Sequence, residues 1–140
     1  MRNSILLLFS IVLLFSCTEK KQGNSHEDLM QAVMAVHDEV MPKMGDIMKY
    51  KKQIGEKIQE LQTVGADANQ EAISKLQKVS DDLDASHEQM MDWMHEFNSD
   101  FEGMKEEDIL KYLNEEKAKI EQVGQLAENT LKEALEILQQ

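Results

Sequence analysis

The stretch 76–97, LQKVSDDLDASHEQMMDWMHEF, places Leu76, Val79, Leu83, His87, Met90, Met94 and Phe97 at steps of three or four, and Phe101 continues the series. That spacing keeps one face of a helix apolar, while Lys78, Asp81, Asp82, Glu88 and Asp92 occupy the other face. Upstream, 63–70 holds Gly65, Asp67 and Asn69, which is loop chemistry; downstream, Asn98, Ser99, Asp100 and Gly103 mark a second break. Beyond these breaks lie two further stripes. Leu29, Val33, Val36, Val40, Ile47, Ile54, Ile58 and Leu61 form the first, opened by Ser25 and Asp28 in capping-box spacing. Ile109, Leu113, Ile120, Ala127, Leu131, Ala134 and Leu138 form the other. No stretch alternates like a strand. The predicted fold is all-α: helices over about 26–62, 70–101 and 105–139, packed as an antiparallel up-down-up three-helix bundle, with helix one kinked at Pro42. Helices of this length, roughly 50 Å, imply a slender rod rather than a globule with a deep pocket.

The N-terminal end has a different character. Arg2 precedes an apolar run, Ile5 to Phe15, interrupted only by Ser10 and too short to span a bilayer. It closes on Leu14-Phe15-Ser16-Cys17, which resembles the lipobox of bacterial lipoproteins, although a residue smaller than Phe15 is commoner in that place. The resemblance implies a signal peptide over 1–16, cleavage before Cys17, and a diacylglyceryl group on its sulfur with an acyl chain such as palmitate on its amino group. Residues 17–25 then read as the lipidated cysteine and a flexible tether, and 26–140 as the bundle. Cys17 is the sole cysteine, so lipidation leaves no thiolate nucleophile, disulfide or cysteine metal ligand for the folded domain. The implied location is the cell envelope, lipid-anchored. The lack of an acidic residue just after Cys17 favours the outer membrane, facing the periplasm.

Composition narrows the partners. Arg2 is the one charged residue of the leader, so the remainder carries 27 acidic against 14 basic side chains, a formal charge of −13. Nucleic acid is excluded as a partner on that balance, and an anionic lipid surface would repel the domain, leaving the acylated Cys17 as its contact with the bilayer. A periplasmic protein partner and the oligomeric state stay open.

Methionine is the unusual residue. Nine remain after the leader, and in helix one Met30, Met34, His37, Met41, Met44 and Met48 recur at steps of 4, 3, 4, 3 and 4. Helix two carries His87, Met90, Met91, Met94 and His95 within three turns, interleaved with Trp93 and Phe97. In an antiparallel hairpin with these boundaries, residues whose numbers sum to about 132 share a level, so His37 faces the level of His95, Met41 that of Met91 and Met44 that of His87. Pro42 and Gly45 weaken the helix in the same zone. Thioethers and neutral imidazoles suit Cu(I), a soft ion, and a thioether binds without losing a proton. The candidate metal ligands are therefore His37, Met41, Met44, His87, Met90, Met91, Met94 and His95. The same residues also suit plain packing, because methionine fills irregular gaps and its sulfur packs well on aromatic rings; the histidines would then be satisfied by carboxylates of helix three, with Glu115 and Glu116 expected near that level.

Other chemistries fit less well. No Cys-x-x-Cys-His attachment for haem is present, zinc favours donors other than thioether, and neither a serine elbow nor an HExxH pair is found, so the chain reads as a non-enzyme.

His37-Asp38-Glu39-Val40-Met41-Pro42-Lys43-Met44 and Met90-Met91-Asp92-Trp93-Met94-His95-Glu96-Phe97 resemble signatures of small helical lipoproteins of Bacteroidetes, some labelled "viral A-type inclusion protein". The resemblance implies compartment and architecture and transfers no catalytic residue. The chain is also similar in general form to helical envelope-stress chaperones, but lacks their Leu-Thr-x-x-Gln motif. Two functional expectations follow: a membrane-anchored lipoprotein binding a soft metal such as Cu(I), or a non-metal helical spacer, interaction or chaperone-like protein of the periplasm.

Overall fold

The computed structural model describes residues 25–139. The leader, Cys17 and the tether through residue 24 lie outside the described residues. Three helices make up most of the described residues, α1 over His26–Gly65, α2 over Gln70–Glu96 and α3 over Glu106–Leu138, with no strand among them. Each helix packs on both others. His37–Met94 and Lys51–Asp84 contacts run α1 and α2 antiparallel, while His26–Glu106 and Lys43–Glu128 contacts run α1 and α3 parallel. This is the expected up-down-up three-helix bundle.

The helix ends follow from local polar chemistry. At the start of α1 the Asp28 N–H donates to Ser25 Oγ and the Ser25 N–H to Asp28 Oδ2, both at 3.2 Å, completing the capping box. α1 passes Pro42 as one continuous helix, and both Pro42 and Asp38, whose carbonyl the proline cannot serve, are exposed. It ends at Gly65, three residues past the expected boundary. There the Asn69 amide donates to the carbonyls of Leu61 and Gly65, at 3.2 and 2.8 Å, and takes up acceptors the helix end leaves open. α2 stops at Glu96, short of the expected 101. The Asp100 N–H donates to Asn98 Oδ1 and the Glu102 N–H to Asp100 Oδ1, so side chains offer the backbone a competing set of bonds. The Met104 N–H then closes a turn onto the Phe101 carbonyl, with Gly103 at φ +78°, where a side chain would be strained.

The core is a single cluster along the rod. Val33, Ile47 and Ile54 of α1, Leu83 and Met90 of α2, and Leu113, Ile120 and Ala127 of α3 are all fully buried. Each large aliphatic member contributes about 1.5–3 kcal/mol by leaving water. Val36, Ile58, Leu61, Leu131 and Leu138, from the same stripes, reach only the edge of this core. Two polar features interrupt it. Ser86 and Thr130 share a 2.9 Å hydroxyl–hydroxyl bond across the α2–α3 seam, and Glu116 is buried with its carboxylate 2.7 Å from Lys119 Nζ.

Candidate functional site: the soft-donor seam of α1 and α2

Geometry divides the eight nominated ligands into three groups. Met44 and Met90 are core residues, 5% and 0% exposed. Their side chains lie inside the core cluster. His95 is exposed in the last turn of α2, where its neighbour Met94 takes the inward position; successive helical residues differ by about 100°, so only one of the two can face α1. The remaining five, His37, Met41, His87, Met91 and Met94, are half buried, and Met41, Met91 and Met94 pack against the core.

Two of these five touch across the helices. His37 Nε2 lies 3.3 Å from Met94 Sδ, and His37 Nδ1 lies 3.0 Å from Asp38 Oδ1. The Asp38 carboxylate only accepts, so a proton on Nδ1 would donate to it, and a proton on Nε2 would donate to the Met94 sulfur. A ring with Nε2 unprotonated would set an imidazole nitrogen and a thioether side by side, a pair of soft donors. A soft ion taken into this seam would be held by His37 and Met94 as nitrogen and thioether donors. Met41 and Met91 come one helical turn farther along, and His87 one turn beyond Met91.

An aromatic wall closes the seam on the core side. The His37 ring centroid is 5.8 Å from that of Trp93, which stacks on Phe97 at 4.8 Å, and Phe97 in turn faces Tyr112 of α3 at 6.1 Å. Trp93 Nε1 is buried without a hydrogen-bond partner, an arrangement that costs about 1–3 kcal/mol. Glu115 and Glu116 do not serve the histidines as expected: Asp38 holds His37, whereas Glu116 turns to Lys119 and Glu115 lies exposed near Lys111. The fourth histidine, His26, which the sequence did not single out, bridges Glu27 and Glu106 near the N-terminal ends of α1 and α3.

Among the described residues no three His, Cys, Asp or Glu side chains converge in metal-holding geometry. Nor is any helix among the described residues long and apolar enough to cross a membrane. Compared with known proteins, the chain matches no family model, no curated protein and no solved structure.

Proposed function

We propose that the chain is a bacterial envelope lipoprotein, acylated at Cys17 and held at the outer membrane facing the periplasm, whose helical domain takes Cu(I) into the α1–α2 seam at His37 and Met94. The observation that carries the metal reading is the 3.3 Å approach of an imidazole nitrogen to a thioether sulfur across two helices, with the opposite ring nitrogen tied to Asp38. Met41 and Met91 supply the next donors along the seam and His87 a reserve. The lipobox-like leader supports the compartment, and the acidic domain supports a bilayer contact made through lipid alone.

A second reading, a non-metal spacer or interaction rod, draws support from Met44 and Met90. These two methionines act as core residues, and the Trp93–Phe97 stack beside them is an ordinary packing motif.

One titration separates the two. Trp93 is the sole tryptophan and lies beside His37, so its fluorescence reports on the seam when Cu(I) is added to the purified protein under reducing conditions against a competing chelator. The metal reading expects binding in the parent, lost in His37→Ala and Met94→Leu with little loss of helical content. Failure to compete with even a weak chelator, together with an unchanged unfolding midpoint in saturating Cu(I), removes copper and leaves the rod.

A further inference from the structure

At the opposite end of the bundle, α1 finishes, α2 starts and α3 finishes around one groove of about 440 Å³. Leu61 of α1, Ala72 and Leu76 of α2 and Ile137 of α3 line it, with Lys57, Lys75 and Glu71 beside them. The groove follows from side-chain size. Leu76 is buried, but the next α2 position toward the helix start on this side is Ala72, whose methyl is too short to cover Leu61 and Ile137; both stay half buried. Apolar surface left in water here forgoes about 25 cal/mol per Å². Lys57 is roughly 30 Å along α1 from His37, so the groove is independent of the soft-donor seam.

Charge singles out its occupant. In a chain of formal charge −12, two ammonium groups and a single carboxylate, that of Glu71, flank an apolar slot, a local excess of positive charge. Lys57 makes no ion pair among the described residues. Lys75 pairs with Glu71, a carboxylate 84% exposed and four residues away on the same helix, an arrangement worth only a few tenths of a kcal/mol and readily exchanged. The volume lies within the ~300–1,000 Å³ range of small-molecule sites. An apolar floor with cations beside it complements a molecule with one apolar tail and an anionic head.

We propose that this groove binds a single-chain anionic amphiphile of the long-chain carboxylate class, the tail against Leu61, Leu76 and Ile137 and the carboxylate between Lys57 and Lys75. A neutral amphiphile would cover the same floor and gain nothing from the two lysines.

The test is displacement of a fluorescent fatty-acid probe from the purified protein by oleate or by monoolein, each below its aggregation concentration. Oleate should displace the probe, and monoolein should be weaker by about tenfold or more, the equivalent of one hydrogen bond to a charged group. Lys57→Glu should weaken oleate by a similar factor and leave monoolein unchanged. Ala72→Phe fills the slot from an exposed helical position and should abolish displacement by both, with helical content unchanged by circular dichroism. No probe binding, equal competition by monoolein and oleate, or full oleate binding in Ala72→Phe would each overturn the assignment.

Discussion

Gly124 of α3 faces Val40 of α1 so closely that a β-carbon on the glycine would stand 2.9 Å from Val40 Cγ2. The two parallel helices meet here at a distance only glycine permits. Val40 cannot give way cheaply, being 2% exposed and, as a β-branched residue in a helix, confined to one χ1 well. Gly124→Ala gains about 1 kcal/mol of helix propensity and should still be net destabilising, by about 1–3 kcal/mol, through overpacking. Denaturant unfolding of Gly124→Ala alone and combined with Val40→Ala checks this. The double variant should recover part of the loss, and an unaltered or raised midpoint in Gly124→Ala would contradict the close approach.

The Ser86–Thr130 pair should respond asymmetrically. Thr130 Oγ1 also lies 3.1 Å from the Leu126 carbonyl and 3.2 Å from that of Ala127, so in Ser86→Ala it keeps acceptors and the cost should be about 1 kcal/mol. Thr130→Val deprives a fully buried Ser86 hydroxyl of its partner and should cost more, about 1–3 kcal/mol. Combining the two removes both polar groups, so its cost should fall below the sum. Strict additivity in a double-mutant cycle would argue against the bond.

Lys119 should make stability pH-dependent on the alkaline side. The Glu116 carboxylate raises its pKa, first by hydrogen bonding and then by charge. A lysine raised in the folded state contributes stability that is complete below its unfolded value, about 10.4, and is lost as pH climbs through the folded value. Lys119→Met should therefore be less stable than the parent at neutral pH, by about 1 kcal/mol for so exposed an ammonium, and the gap should close above about pH 10.5. A gap constant from pH 7 to 11 would mean that the ion pair contributes nothing. Glu116→Met, which replaces a buried carboxylate with an apolar chain, should be neutral or stabilising.

The Cu(I) reading carries its own mutational signature. His37→Ala should lose most of the affinity. Met41→Leu and Met91→Leu keep apolar volume while deleting sulfur, and should weaken binding with little change in stability. Equal affinity in all these variants would point to an adventitious surface site.

Cys17→Ser should block lipid attachment and move the protein from the membrane fraction to an unprocessed or soluble species. Incorporation of labelled palmitate into that variant at the parental level would overturn the lipoprotein assignment.

The aliphatic stripes were legible because Leu83, Ile120 and Ile54 lie at positions where period and burial coincide. Where the stripe drifts around the helix, by some 20° per heptad, reading by spacing fails: His87 continues the pattern on paper, yet Ser86 takes the core and His87 its edge. Glu116, expected beside the histidines, is buried and turns to Lys119 instead, a choice of partner that spacing does not encode, and the closeness of Gly124 to Val40 is equally invisible in spacing. The hairpin register located the level of His37 correctly, but loop lengths cannot say which of two neighbours points inward, and Met94 rather than His95 does so. The early end of α2 was written in Asn98 and Asp100, as side-chain bonds that compete with the helix instead of as a break in hydrophobic spacing.

Because α1 and α3 run parallel, the start of α1 and the end of α3 stand at opposite ends of a rod whose longest helix, 40 residues, measures about 60 Å. A pull between these two points loads the α1–α3 seam lengthwise, in shear. Val40 against Gly124, Lys43 against Glu128 and His26 against Glu106 then share the load together, whereas an antiparallel pair pulled from one end opens contact by contact. A chain held at one end and drawn upon at the other therefore meets force along its stiffest direction, as a strut does.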